Sequence, residues 1–190
     1  MPFIVESIVT TVAPGGDLNI APMGVEWSDG ELVLRPYRNT ATFRNLSVAG
    51  EAVVNLTDDV RIFAAAAISN PTFPTKPAAV VHGRVLEAAC SWREVHAREE
   101  EGSPERSRFA ARVVHLGFTR EFLGFNRARN AVLEAAILAT RVAYLPAEEI
   151  RAGFERLQVI VEKTAAEPER EAMDLLSRHV RAALEAAGRP

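Results

Sequence analysis

One polar loop between a predicted strand and a predicted helix carries the residue types that could bind an anion. Its candidate binding residues are Arg35, Tyr37, Arg38, Thr40, Thr42 and Asn45. Hydroxyls and backbone N–H groups at a helix N-terminus, beside arginine, can bind a group of the size and charge of a phosphate. The same loop also fits a helix that is capped by Thr40 and flanked by solvated arginines. The residues alone leave both interpretations open.

A second segment could receive a flat ring. It is Asn19-Ile20-Ala21-Pro22-Met23-Gly24, within a predicted strand. Small residues and a proline leave the backbone of a strand open to close approach by a planar group. An edge strand with a bulge is the alternative interpretation.

A third group of polar residues lies in a predicted helix of the second half of the chain. Its members are Arg127, Arg129, Asn130 and Glu134. Residues two apart on a helix lie about 200° apart, so Arg127 and Arg129 cannot share a face, whereas Asn130 and Glu134 can. The group is either a salt-bridged helix surface or a set that contacts an anionic substrate or a second subunit.

The sequence lacks the residue patterns of several other chemistries. The histidines have no zinc-ligand spacing, and the single cysteine, Cys90, cannot build a thiolate metal cluster, so no metal site is predicted. There is no G-x-S-x-G elbow, no P-loop and no G-x-G-x-x-G fingerprint. His82 lies in a predicted strand, where a buried structural histidine is the more common case.

The composition restricts the class of protein. The chain has 190 residues, of which 48% are hydrophobic and 25% are charged, and its net charge is −3. These values are typical of a globular protein and give no basic surface for nucleic acid. No apolar run reaches the roughly 20 residues of a membrane span, and Glu6 interrupts any signal peptide. A single cysteine fits a reducing compartment, so we expect a cytoplasmic protein without membrane or nucleic-acid partners.

The first half of the sequence predicts short strands. They cover Phe3–Val12, Asn19–Trp27, Glu31–Tyr37, Ala52–Thr57 and Ala78–Ala89, with short helices over Thr40–Ala49 and Val60–Ile68. Pro14–Asp17 and Ser28–Gly30 are turn signals, and Gly50 ends the first helix. Many short strands with one small helix between the third and fourth favour a barrel.

The second half is rich in alanine, glutamate and arginine and predicts helices. They cover Trp92–Glu101, Glu105–Val114, Asn126–Leu138, Ala147–Lys163 and a segment from Pro168 with an apolar stripe at Met173, Leu176 and Val180. Ala139–Leu145 is a candidate for the last barrel strand. We therefore predict a barrel domain over 1–145 with a helical insertion near 91–138, and a helical extension over 146–190.

Two of these segments resemble the flavin-reductase-like split barrels. Asn19–Gly24 is similar to their N-x-A-P-x-G strand, and Thr40–Leu46 is similar to the loop Ser/Thr-x-Thr-x-x-Asn-Leu/Ile that opens their helix. Ala52–Thr57 resembles the strand that follows. Within that superfamily, Phe125–Ile137 with Ala139-Thr140-Arg141, and Glu6–Thr11, resemble the family known as domain of unknown function 447, whose role is not established. The resemblance covers nearly the whole chain.

The resemblance implies a mainly β fold with helices, namely a six-stranded Greek-key split barrel plus a helical C-terminal part. It also implies a homodimer with FMN near the dimer interface. By position, Thr40, Thr42 and Asn45 match phosphate-loop residues, Arg35 or Arg38 adds charge, and Asn19, Ala21, Pro22 and Met23 lie along the isoalloxazine ring. Tyr37 and Asn55 complete the implied cofactor-binding set.

The resemblance also has implications for the function. It implies a flavin-dependent oxidoreductase that could use NAD(P)H or a small-molecule substrate. The alternatives are a non-catalytic flavin-binding or protein-interaction module, and a split barrel that uses F420 or another cofactor. The chain departs from the reductase pattern at Arg38-Asn39 in the phosphate loop and in its long helical C-terminal part.

Overall fold

The structure is a computed structural model that describes residues 2–28 and 30–188. The strands are β1 (Ile4–Val12), β2 (Leu18–Trp27), β3 (Glu31–Leu34), β4 (Glu51–Leu56), β5 (Thr75–Pro77), β6 (Arg84–Leu86), β7 (Ser91–Glu100) and β8 (Arg108–Phe118). The helices are α1 (Ala41–Ala49), α2 (Val60–Ile68), α3 (Arg127–Thr140), α4 (Ala147–Thr164) and α5 (Glu167–Ala186). Contacts divide the chain into two units. The barrel unit is the chain up to Thr57 with Thr72–Phe122, and the helical unit is Asp58–Pro71 with the chain from Leu123 onward.

The barrel unit is a closed antiparallel barrel in which the strands follow the order β1-β2-β3-β8-β7-β4. β1 and β2 pair along their whole length, from Ile4 opposite Glu26 to Val12 opposite Leu18. β2 and β3 pair only at Glu26–Val33 and Trp27–Leu32, so the barrel is split over the rest of β2. The six barrel strands confirm the predicted barrel.

Helix α1 covers one end of the barrel, and its bounds follow from its two caps. Thr40 accepts a hydrogen bond from the amide of Phe43 at 3.3 Å, and Gly50 adopts the left-handed conformation with φ 63°. These caps confirm the predicted start and end of the helix. Leu46 packs into the barrel core, and the ring of Phe43 meets that of Phe109 edge to face. The apolar face of α1 therefore closes the core at this end.

The β5–β6 hairpin covers the outer wall of the barrel without pairing with any barrel strand among the described residues. Polar side chains of the barrel hold it instead. The buried carboxylate of Glu94 accepts hydrogen bonds from the amides of Ala79, Val80 and Val81 at 2.8, 2.6 and 3.1 Å, and from the indole of Trp92 at 3.2 Å. Backbone donors thus stabilise a charge that would otherwise be costly to bury.

The helical unit has its own core, built from α2, α3, α4 and α5. The side of α3 that faces this core consists largely of alanines, which let neighbouring helices approach closely. Gly153 of α4 serves the same end, since a Cβ there would lie 2.7 Å from Cδ1 of Leu138. The stripe predicted at Met173, Leu176 and Val180 is buried in this core.

Several predicted elements are wrong. The segments predicted as helices over Trp92–Glu101 and Glu105–Val114 are strands β7 and β8, so the predicted helical insertion does not exist there. The hairpin covers the outer face of β7 at Glu94. Because this part of the strand is not half-exposed, its sequence lacks the simple alternation of apolar and polar residues that marks a half-exposed strand.

Two further strand predictions also fail. Ala78–Ala89 contributes only the short β6 to the hairpin, and Ala139–Leu145 is the end of α3 and a turn. The division between the units falls after residue 122 rather than after 145, and α2 belongs with the helical unit. The predicted turn Ser28–Gly30 includes Asp29, which lies outside the described residues.

The anchoring of the hairpin by Glu94 makes a prediction about stability. Burial would raise the pKa of Glu94, but the hydrogen bonds from Ala79, Val80, Val81 and Trp92 outweigh burial and lower it. The charged form is therefore stabilised above the unfolded carboxyl pKa of about 4.3, and this stabilisation is lost as pH falls through the lower folded pKa. We expect Glu94→Gln to reduce the free energy of unfolding by about 2 kcal/mol at pH 7, as measured by urea denaturation.

The exposed Glu101 gives a matched control, because Glu101→Gln removes a charge without touching the hairpin. The deficit of Glu94→Gln should shrink as the pH falls below the unfolded carboxyl pKa of about 4.3, because the unfolded carboxylate takes up a proton there while the folded one does so only at lower pH. A deficit that stays constant from pH 7 to pH 3 would show that the carboxylate charge does not hold the hairpin.

Candidate functional site

A hydrogen-bonded cluster joins β1, β2 and α1 where the barrel meets the helix. The side-chain amide of Asn19 donates to the hydroxyl of Thr42 at 3.0 Å and to that of Thr11 at 3.3 Å. The side-chain amide of Asn45 donates to the same Thr11 hydroxyl at 3.0 Å. Three of the residues that the sequence predicted as cofactor ligands, Asn19, Thr42 and Asn45, are thus brought together.

The start of α1 has the electrostatics of an anion site. Thr40 closes the first turn, and its own hydroxyl donates to the carbonyl of Tyr37 at 2.7 Å. The helix has no acidic residue in its first turn, so no side-chain anion there competes for the positive end of its dipole. The first-turn amides of Ala41 and Thr42 precede any intrahelical acceptor. Because Asn19 donates to Thr42 Oγ1, the proton of that hydroxyl is directed to another acceptor.

The arginines around this loop are committed to different partners. Arg35 forms an ion pair with Glu26 on β2, at the end of the split opposite Asn19. Arg44 donates to the backbone carbonyl of Asn39 at 3.0 Å. Arg44 therefore stays beside the loop, and its exposed side chain keeps positive charge near the start of α1, whereas the Arg35 side chain lies at the far end of the split.

Arg38 and Tyr37 are turned toward β7 and the loop before β8. Arg38 contacts Glu99 at 3.0 Å and lies over the Phe43 ring at 5.4 Å. Hydrogen bonds from Ser107 and then from Arg38 lower the pKa of Glu99, which favours its charged form. The Tyr37 hydroxyl accepts from Arg106, whose guanidinium also stacks on the tyrosine ring. Both predicted ligands thus have partners within the barrel unit.

The backbone of β2 presents an unpaired edge along the split. The amide of Trp27 donates to the carbonyl of Phe3 at 2.8 Å, so the odd-numbered residues of β2 direct their backbone groups toward β1. The even-numbered residues Ile20, Pro22 and Gly24 direct theirs toward the other edge, where no strand pairs with them in residues 2–28 and 30–188. Pro22 suits this place, because it has no N–H to leave without a partner.

The split has a defined length. It runs from the Asn19–Thr42 contact to the point where Glu26 pairs with Val33. Seven steps along β2 cover roughly 23 Å. The side chains of Ala21, Pro22 and Met23, which the sequence placed along a ring, are half-buried along this stretch.

Asn55 needs a correction, because the structure gives it no exposed surface. Its side-chain amide donates to the carbonyl of Ile8 at 3.0 Å, and its side-chain oxygen accepts from the amide of Leu86 at 2.9 Å. The side chain therefore fastens the hairpin to the barrel wall and cannot contact a ligand in this structure.

The predicted group on α3 divides into two. Arg129 turns inward and bridges two buried carboxylates, Asp58 at 3.1 Å and Glu169 at 3.0 Å. Arg127, Asn130 and Glu134 lie on the exposed side of the helix at spacings of three and four residues. Arg129 is therefore structural, and the other three remain candidates for contact with a ligand or a second subunit.

Sequence analysis did not single out Thr11. The signal was available, because a tight turn after β1 places Thr11 opposite Asn19. Within the part of the chain that the structure describes, no three His, Cys, Asp or Glu side chains form a metal-ligand group, and no helix is long and apolar enough to cross a membrane.

Solved structures similar to this chain share its fold. The FMN-bound protein MM1853 from Methanosarcina mazei, described as a DUF447 protein, superposes with a TM-score of 0.82 at 22% identity and covers 94% of this chain and 96% of its own. A 2-nitrobenzoate 2-nitroreductase from Pseudomonas fluorescens gives a TM-score of 0.53 at 20% identity over 63% of this chain and 66% of its own.

The styrene monooxygenase flavin reductase from Pseudomonas putida S12 gives a TM-score of 0.52 at 17% identity over 60% of this chain and 81% of its own. These similarities show that the barrel unit has the flavin-reductase-like split-barrel fold. No curated protein matches the sequence.

Family models cover most of the sequence. The model described as protein of unknown function DUF447, N-terminal domain, matches residues 5–120, and the model described as protein of unknown function DUF447 matches residues 126–178. The resemblance seen in the sequence is confirmed over both units, and the chain belongs to the DUF447 family.

Proposed function

We propose that this chain is an FMN-binding flavoprotein that acts as an oxidoreductase. The observation that carries the proposal is the Asn19–Thr42 hydrogen bond, because it places the unpaired edge of β2 and the N-terminus of α1 at one site. The similar protein from Methanosarcina mazei is FMN-bound and also belongs to DUF447, which supports the choice of cofactor.

The residues at the start of α1 fit a phosphate. Thr42 offers a hydroxyl proton, and the amides of Ala41 and Thr42 offer donors at the positive end of the helix. Arg44 adds positive charge nearby and is not part of the helix cap. Thr40 serves mainly as the cap, and Asn45 acts through Thr11, since its amide contacts Thr11.

The edge of β2 fits a flat, polar-edged ring. Ile20 and Gly24 each offer an N–H and a C=O toward the split, and Pro22 offers a C=O alone. Recognition by backbone groups needs no large side chain, which agrees with the small residues of this segment. Bound FMN would supply hydride transfer, and the chain would bind and orient the ring and exclude water from one side of it.

A substitution at Thr42 tests the phosphate site. We expect Thr42→Ala to weaken FMN binding by about 1.5–3 kcal/mol, through loss of one hydrogen bond to a charged group, and to leave riboflavin binding almost unchanged. Titration of the dialysed protein with each flavin, followed by quenching of flavin fluorescence, measures both affinities.

Ser47→Ala is the matched control, because Ser47 is an exposed hydroxyl on the same helix. It should change neither affinity. If Thr42→Ala lowered the affinities for FMN and riboflavin equally, Thr42 would be a structural residue of α1. If the wild-type chain took up no FMN at tens of micromolar, the cofactor would be another molecule, such as F420.

The oxidoreductase role calls for a kinetic test. FMN-loaded protein, mixed anaerobically with NADH, NADPH or reduced F420 in a stopped-flow instrument, should lose flavin absorbance faster than free FMN does. Bleaching at the rate of free FMN with all three donors would favour a non-catalytic flavin-binding or interaction module.

The exposed side of α3, which carries Arg127, Asn130 and Glu134, is our candidate for contact with a substrate. Arg127 and Glu134 supply both signs of charge, and Asn130 adds a donor and an acceptor. Variants Arg127→Met and Asn130→Ala belong in the same stopped-flow series. A change in the rate of reduction with an unchanged affinity for FMN would support a role toward the electron donor.

A homodimer is part of the proposal. The barrel unit exposes large apolar side chains, with 58% of Leu116, 64% of Phe118 and 51% of Phe122 accessible. Exposed apolar groups of this kind mark interaction surfaces in many proteins. We expect sedimentation equilibrium to give twice the 20.7 kDa of one chain, and a mass of one chain at tens of micromolar would contradict this.

A further inference from the structure

The end of the barrel away from α1 holds an arginine that the FMN site does not use. In the closed barrel, β7 and β2 lie opposite each other, with two strands between them on either side. The guanidinium of Arg93 on β7 nevertheless lies 5.4 Å from the ring centroid of Trp27 on β2. Arg93 therefore points inward, and its contact with Trp27 spans the interior near this end.

The strand register supports this placement. Arg93 stands opposite Val54 on β4 and opposite Leu116 on β8. Val54 is a core residue, so Arg93 shares the inward face of the sheet with it. Leu116 is 58% exposed, so this barrel end is open to solvent beside the guanidinium.

Arg93 has no counter-charge within the described residues of its own chain. No carboxylate among them lies within 4.0 Å of its guanidinium, in contrast to Arg35, Arg38 and Arg129. Its hydrogen bond to protein joins Nη1 to the carbonyl of Trp92 at 3.0 Å. A guanidinium has five N–H donors, so most of them stay available.

Partial burial without a counter-ion carries an energetic cost. Burial lowers the pKa of Arg93, and no charged neighbour in the described part of the chain opposes that effect. A methionine or leucine would fill the same space beside Trp27 without this cost. Binding sites often keep groups that are not the best choice for stability.

We propose that the barrel end formed by Arg93, Trp27 and Leu116 is a binding site for a carboxylate, with the guanidinium as its anion partner and the indole and leucine side chains as apolar walls. The planar fork of a guanidinium matches a carboxylate with two parallel hydrogen bonds. The apolar walls favour a carboxylate attached to an apolar body. That carboxylate belongs either to a free small molecule or to an acidic side chain of a second copy of this chain. The proposal does not depend on FMN binding.

Benzoate is the probe, and benzamide is its uncharged analogue. The full chain has two tryptophans, so the indole N–H signals of Trp27 and Trp92 can be followed separately by NMR during a titration. We expect benzoate, and not benzamide, to shift the Trp27 signal.

Variants at Arg93 test the anion partner. We expect Arg93→Met to weaken benzoate binding by about tenfold or more. The affinity of Arg93→Lys for benzoate should lie between those of the wild type and Arg93→Met, because lysine keeps the charge but loses the planar fork. Arg112→Met is the matched control, because Arg112 is an exposed arginine on the neighbouring strand β8. The melting temperature of Arg93→Met should equal or exceed that of the wild type.

Three results would overturn the proposal. They are equal binding of benzoate and benzamide, benzoate binding that Arg93→Met leaves unchanged, and absence of benzoate binding together with self-association that Arg93→Met leaves unchanged. The last result would show that Arg93 serves only to close the end of the barrel.

Sedimentation of the wild type and of Arg93→Met distinguishes the two sources of the carboxylate. If a second copy supplies it, Arg93→Met will weaken self-association, and benzoate binding will weaken as protein concentration rises. If a free molecule supplies it, self-association will be the same for both proteins.

Discussion

The side chain of Asn19 is the interaction on which the rest of the site depends. Asn19 of β2 and Thr42 of α1 are 23 positions apart in the sequence, and one side-chain amide joins them by donating to hydroxyls on both β1 and α1. Thr11 is the shared acceptor, and Asn45 approaches it from the helix side. Without this cluster, α1 would still cap the barrel core through Leu46, but its N-terminus would not be fixed relative to the edge of β2.

Side-chain hydrogen bonds to backbone also replace strand pairing on the outer wall of the barrel. Thr10, Asn55 and Glu94 each bind backbone groups of the segment that contains the β5–β6 hairpin. A hairpin held in this way can cover a sheet face without extending the sheet, so the barrel stays closed with six strands. The result is that the outer face of β7 is covered at Glu94 although this residue carries a charge.

The sequence predicts the first half of the fold better than the second half. Thr40 as a cap, Gly50 as a terminator and the small residues of β2 are local signals, and they stand in the structure as the sequence suggests. The charged segment after Cys90 misleads, because the spacing of Trp92 and Val95 also fits a helix. Phe109, Ala111 and Val113 alternate with polar or small residues in β8, so a period of two was present there. The inward turn of Arg129 and the burial of Asn55 depend on residues far away in sequence, which local patterns cannot reveal.

The interleaving of the two units governs how the protein can be divided and in what order it can fold. The chain passes between the units three times, since α2 leaves the barrel after Thr57 and the barrel resumes at Thr72. Val60 and Ala64 of α2 belong to a core whose last members, including Leu184, are synthesised about 120 residues later. A fragment that ends near residue 120 therefore contains a complete barrel together with the apolar helix α2, whose packing partners are missing. On the ribosome, the same helix must wait for the C-terminal segment before its apolar face is covered. The boundary between the two halves of the family description thus separates two sequence blocks, but not two independent folding units.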